Sequence, residues 1–172
     1  MWRFAYLLFL ISILTAVSCR ERGGSKDVPV KINAEQLAEI NRQLLIKDRE
    51  RIISYIERKG LDMKETDTGL WISRDKGGEG RIKDGDSLTL EYVCSLLDGS
   101  VVYDSAKDGL MHFVVGRSDI PAGLNQAVKL LGKGSEAVLI IPAYLAYGLL
   151  GDERKIPARS VLVYNIKVLD VE

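Results

Sequence analysis

Histidine and cysteine are almost missing from this chain. There is one histidine, His112, and there are two cysteines, Cys19 and Cys94, among 172 residues. Zinc sites draw three or four ligands from Cys, His and carboxylates, and the familiar acyl-transfer triads turn on a histidine base. That inventory argues against a metal centre and a histidine triad, and neither a metal nor a cofactor is expected. Excess charge of either sign is also missing: Lys+Arg and Asp+Glu both total 24, so no net field draws the chain to nucleic acid or anionic lipid. No internal repeat or low-complexity block stands out. The apolar run Phe4–Val17 falls short of the about 20 residues a spanning helix needs. What remains is 47% hydrophobic residues, enough for one globular domain with extensions.

The short apolar run reads as an address. Arg3 precedes it and small residues close it at Ser18-Cys19, the layout of a secretory signal. Thr15-Ala16-Val17-Ser18-Cys19 resembles a bacterial lipobox, whose cysteine is acylated and becomes the new N-terminus. Residues 1–18 then form a lipoprotein signal and Cys19 the lipidation site. An ordinary signal peptide with an incidental cysteine, or an uncleaved anchor, are the competing readings. Acyl chains gain about 0.8 kcal/mol per buried CH₂, so several hold firmly. Arg20 after the cysteine leans, by the same resemblance, towards an outer membrane facing the periplasm. Residues 19–33, with Gly23-Gly24-Ser25 and scattered charges, have the composition of a flexible tether.

Residues 34–60 read as a helix. Asn33 is a good N-cap, Gln36 completes a capping box, and Gly60 ends the segment. Leu37, Ile40, Leu44, Ile52, Ile53 and Ile56 mark an apolar face, which the cluster Lys47–Arg51 interrupts. Such a helix serves as a dimerisation or client-gripping arm, or it packs on its own domain or acts as a solvated spacer.

Strand signals follow. They begin at Gly69–Ile72. Leu88, Leu90, Tyr92, Cys94 and Leu96 then alternate with polar or smaller residues. Asp98-Gly99 marks a hairpin returning through Val101–Tyr103. Leu162, Tyr164, Ile166 and Val168 share one face of a last strand. Between these lies Gly116–Gly148. Leu124, Ala127, Val128 and Leu131 fall at helical spacing after Pro121, with Gly132 as the expected C′ residue, and Ala137–Ile141 reads as a buried strand. The fold class is α+β.

The phrases IPAGLNQAV, LGKGSEAVLIIP and LAYG, with LEYVCSLLDGSVVYDSA before them and IPARSVLVYNIKVLDVE after, resemble the FKBP-type peptidyl-prolyl cis/trans isomerases in their bacterial form. The resemblance covers residues 61–172. It implies a curved antiparallel sheet, a half-barrel, wrapped over one short helix, with residues 34–60 as a helical extension. Rotation about a peptide C–N bond faces ~18–20 kcal/mol. Catalysing it needs no nucleophile or base, only a dry socket for the proline ring and dipoles that favour the twisted amide.

Matched position by position, the resemblance implies Asp104 and Tyr147 as the catalytic polar groups, Tyr147 through its hydroxyl on a substrate carbonyl. The substrate-binding wall would be Tyr92, Tyr103, Met111, Phe113, Ile120, Pro121, Leu124, Ile156 and Tyr164. Cys94 stands where the family usually has glycine and is expected as a buried free thiol, and His112 as a surface residue. Three features depart from the pattern. Pro121 lacks the N–H that family members offer a ligand. No arginine pairs with Asp104, for which Lys107 is a poor substitute. Leu124 replaces a common tryptophan, which should weaken binding of large macrocyclic inhibitors. The leading reading is an isomerase of proline-containing unfolded or partly folded proteins, lipid-anchored in a bacterial envelope. The alternatives are a weakly catalytic chaperone or binding module of the same fold, and a structural envelope lipoprotein.

Overall fold

In the computed structural model, which describes residues 33–73, 77–117 and 120–172, the described residues begin with a long helix. The expected signal segment, Cys19 and the tether before Asn33 lie outside the described residues. Helix α1 spans Ala34–Lys59. Its start is set by a reciprocal capping box: Gln36 N–H donates to Asn33 Oδ1 at 2.7 Å, and Asn33 N–H to Gln36 Oε1 at 3.0 Å. Arg58 and Lys59 complement the dipole of the last turn, and Gly60, at φ 61°, takes the left-handed step that stops it. The two halves of α1 differ. Leu37, Ile40, Leu45 and Ile46 stay exposed, whereas Ile52 and Tyr55 bury against Ile140, Val161 and Val163.

Among the described residues seven strands follow: β1 Met63–Glu65, β2 Trp71–Ser73, β3 Ser87–Leu96, β4 Val101–Asp104, β5 Met111–Val114, β6 Glu136–Ile141 and β7 Leu162–Val171. Between β4 and β5 lies the four-residue helix α2, Ser105–Asp108; α3, Ala122–Val128, lies between β5 and β6, and a 3₁₀ turn, Ala143–Leu145, follows β6. The open sheet runs β1-β2-β6-β7-β3-β4 with every pairing antiparallel, and β5 also pairs with β3. Alternation on β3 and β7 decides which face is which. Leu88, Leu90, Tyr92 and Cys94 with Leu162, Tyr164, Ile166 and Val168 face the core under α3. Val163 faces the other way, under α1. The α+β class, with an antiparallel sheet over one short helix and a helical extension, is the architecture observed.

Pro121 is the N-cap of helix α3, at φ −50° and ψ 134°, immediately before the first helical residue. The far end of α3 corrects two details. The α-helix ends at Val128, and Leu130 and Leu131 donate at 3.0 Å to Ala127 and Val128 in tighter i→i+3 turns. Gly132 is not the left-handed C′ residue expected from the spacing, since its φ is not positive. Its reason is space: a Cβ there would lie 2.5 Å from the Glu79 carbonyl oxygen and 2.7 Å from that of Gly80. Gly123 is small on the same grounds. A Cβ would come within 2.4 Å of Ile141 Cγ2, so its absence lets α3 lie down on β6.

Candidate functional site

The register of the sheet assembles the site row by row. Cys94 on β3 lies opposite Tyr103 of β4 on one side and Tyr164 of β7 on the other, and Tyr164 in turn lies opposite Leu139. Paired residues of antiparallel strands share a face, so this is one continuous inward row. Further along β3, Leu90 lies opposite Met111, and Leu88 opposite Phe113. Tyr92 and Tyr164 rings sit 6.3 Å apart at 38°. Leu124 of α3 is fully buried, and Tyr92, Phe113, Ile156 and Tyr164 pack with it in one cluster. Tyr103, Met111, Ile120 and Tyr147 are half-buried against that cluster. A buried apolar floor with a half-exposed aromatic rim is what a socket for a small apolar ring would need. Pro121 is buried at the head of α3, where its carbonyl accepts from the N–H groups of Leu124 and Asn125. His112 is exposed, and its Nδ1 lies 3.0 Å from Thr89 Oγ1.

Polar groups of the rim are few and mutually engaged. Beyond burial, ionisation of the Cys94 thiol or of the Tyr147 phenol would further disfavour ionisation of Tyr164, so these groups act on one another. Burial pushes the Cys94 thiol up to about 12, and Cys94 is free and fully buried, as the sequence suggested. Burial also raises the phenols of Tyr92, Tyr147 and Tyr164 above their ordinary value. Tyr103 reaches about 12, through burial and then its bond to Asp152. Every phenol of the site is therefore a neutral donor at pH 7, and the thiol is no nucleophile.

Asp104 has a second occupation. Its Oδ1 accepts the Ala106 N–H at 2.9 Å, which makes it the N-cap of α2, and its own N–H donates to Asp108 Oδ2 at 2.9 Å. This carboxylate cluster borders β3, since the Tyr92 N–H donates to Ser105 Oγ of α2 at 3.1 Å, and burial first, then the charges of Asp108 and Asp104, raises the Tyr92 phenol. Lys107 does not partner Asp104: it is exposed and makes no ion pair among the described residues. The cation at this rim is Lys155, which pairs with Asp108 at 3.2 Å and lies 4.6 Å over the Tyr103 ring.

Asp152 is a residue that the sequence reading passed over. It organises the loop after Gly148. The Tyr103 hydroxyl donates to its Oδ2, and its Oδ1 accepts the N–H groups of Arg154 at 3.0 Å and Ile156 at 2.7 Å. Burial pushes its carboxyl up, but those donors outweigh burial and hold it below the usual range. An aspartate two positions ahead of an available N–H, just after Gly151, is an Asx-turn signal and was the one local clue. Among the described residues no three His, Cys, Asp or Glu side chains gather as ligands of a metal ion.

Comparison with known proteins matches this geometry. The family model of the FKBP-type peptidyl-prolyl cis-trans isomerases matches residues 78–169, more than half of the chain. The chain is 33% identical over 119 residues to the FKBP-type peptidyl-prolyl cis-trans isomerase FkpA of Buchnera aphidicola from Acyrthosiphon pisum, covering 69% of this chain and 48% of that protein. It is 33% identical over 130 residues to the protein of the same name from the Schizaphis graminum strain, covering 74% and 50%. This chain thus spans about half the length of those curated relatives. Among solved structures, that of FkpA from Escherichia coli superposes with a TM-score of 0.61 at 26% identity, covering 81% of this chain and 67% of that one. The chain belongs to the FKBP-type peptidyl-prolyl cis-trans isomerase family.

Proposed function

We propose that this protein catalyses cis/trans rotation of X-Pro bonds in proline-containing unfolded or partly folded proteins outside the cytoplasm. The reading rests on the inward row Tyr103–Cys94–Tyr164, joined by Tyr92, Phe113, Leu124 and Ile156 in one apolar cluster with Tyr147 half-exposed beside it. A proline ring seated there leaves water. The planar amide, with more charge separation than the twisted one, loses more by that transfer. Burial raises the Tyr147 phenol, so Tyr147 keeps its proton for a substrate carbonyl. Asp104 has one oxygen committed to α2 and presents its charge beside Tyr92. No covalent step is required.

The test is isomerisation of short proline peptides by the purified protein, compared with a sample lacking it. Acceleration abolished by blocking the socket supports the reading. A wild type that binds proline peptides without accelerating them replaces it with a binding module.

The compartment is part of the proposal. Cys19 is the proposed acylation site, tethering the domain to the bacterial envelope, and residues 19–33 the spacer. Cys19→Ser should abolish lipid labelling and release the protein or leave a precursor. Unchanged fractionation, with no label on the wild type, would remove the anchor from the proposal. A second copy of the chain is the proposed partner for Leu37 and Ile40 on the exposed half of α1, and a purely monomeric protein across a wide concentration range would refute it.

A further inference from the structure

The loop that carries Ile156 is held from two sides, and only one hold belongs to the segment matching the isomerase family. The inner one is Asp152, with its bonds from Tyr103, Arg154 and Ile156. The outer one comes from α1. Asp48, though on a helix surface, is only 6% exposed. Its Oδ2 lies 3.4 Å from Arg159 Nη2, and its Oδ1 lies 3.7 Å from Arg51 Nη1. Arg159 closes the loop at its neck, where its N–H donates to the Gly148 carbonyl at 2.9 Å.

Arg159 is an awkward residue for that neck. Its φ is 57°, in the left-handed region that glycine, asparagine and aspartate enter readily and an arginine does not. A turn alone would be better served by asparagine, so the guanidinium has a use beyond the turn. That use is the buried carboxylate, to which Arg159 brings the nearer of two cations and the one that belongs to the loop. The position is maintained by packing: Ile52 and Tyr55, one and two turns beyond Asp48, seat α1 on Val161 and Val163, two and four positions past Arg159 in the chain.

We propose that Asp48 is a positioning residue for the isomerase site: through Arg159 it fixes the 148–160 loop, and with it Ile156, against the proline socket. This makes α1 a working part of the site as well as an extension. The proposal rests on the isomerase reading above. It predicts that substrate binding, more than turnover of bound substrate, depends on an ion pair whose acid lies outside the family-matching segment.

The experiment uses the full chain in detergent micelles and compares wild type, Asp48→Asn, Arg159→Asn and the exchanged pair Asp48→Arg with Arg159→Asp. Arg159→Asn is chosen because it relieves the left-handed backbone while deleting the cation. Three readings are taken: kcat and KM on a proline tetrapeptide, amide exchange across residues 149–159 against β3, and Tm. Each single variant should raise KM about 3- to 30-fold with a smaller change in kcat, the scale of a displaced binding wall and a lost coupling. Protection should fall in 149–159 and hold in β3, and the exchanged pair should recover both. Should Asp48→Asn fail to fold, Arg159→Asn gives the same reading from the loop side. The proposal is overturned if either folded single variant keeps KM within twofold of wild type, or if protection falls evenly over the domain. Were wild type itself inactive, the isomerase reading would fail separately. Amide exchange would then decide the latch: local loss supports it, and no local loss overturns it.

Discussion

Tyr147 and Asp104 carry the polar part of the proposed chemistry, and they are separable by substitution. Tyr147→Phe keeps the ring and deletes one hydroxyl, so it should cost about 1–3 kcal/mol of transition-state stabilisation, roughly 5- to 150-fold in kcat/KM. Asp104 demands more care, because it caps α2 as well as bordering Tyr92. Asp104→Val removes both roles and should lose activity together with about 1 kcal/mol of stability. Asp104→Asn keeps a capping oxygen, so activity should fall while the melting temperature holds. Isomerase rate plotted against Tm for the three variants checks this; a wild-type rate in Tyr147→Phe and Asp104→Asn would remove both from the site. At this scale the sequence was informative where neighbours in the chain are neighbours in space. Tyr92 and Cys94, two apart on one strand, share a face by period alone. Asp152 was invisible because its main partner, Tyr103, lies 49 positions away and meets it only after folding.

At the scale of elements, α3 is the joint between sheet and socket. Leu124 has no exposure, so Leu124→Ala opens a cavity that the rigid sheet cannot fill. The expected loss is about 2–5 kcal/mol in denaturant unfolding, with activity falling alongside, since the same side chain floors the proposed socket. Gly132→Ala should also destabilise, as its Cβ would meet two carbonyl oxygens that belong to backbone and cannot rotate away. An unchanged unfolding midpoint in either variant would contradict the packing described. The contrast between the two glycines that follow helical segments shows what spacing can and cannot give. Gly60 ends α1 by the left-handed step that its place after the last periodic residue suggests. Gly132, four positions past the end of α3, is there for a different reason, the approach of the 79–80 backbone, which no local pattern announces. The long strands β3, β6 and β7 were legible from alternation and apolar runs. The three-residue β1 and four-residue α2 are too short to show a period and exist because tertiary partners hold them.

Taken as a whole, the molecule gathers protonated groups inside the sheet and ionised carboxylates at its rim, and this fixes how stability should follow pH. Asp152 is held below its ordinary 3.8 in the folded protein. Its contribution is present above 3.8 and is lost as pH falls through the folded value, so it shapes only the acid limb. Cys94 is shifted the other way, from 9.0 to about 12. Below pH 9.0 the thiol is protonated in both states and the preference is intact. Above it the unfolded chain releases the proton while the folded chain retains it, so stability declines as pH climbs towards about 12. One proton is worth about 1.4 kcal/mol per pH unit across that window. Tyr92, Tyr147 and Tyr164, raised from 10.0 by burial, steepen the fall in the same direction above pH 10.0. Cys94→Ser keeps the size and a hydrogen-bonding atom but does not titrate there. Urea unfolding of the two proteins between pH 8 and 10.5 should therefore diverge, with wild type losing stability first. The gap should widen by about 1.4 kcal/mol per pH unit above pH 9, before the tyrosines act on both proteins alike. Parallel curves would mean that the Cys94 thiol ionises in the folded state as readily as in the unfolded one, and the dry interior inferred for the Tyr103–Cys94–Tyr164 row would have to be given up.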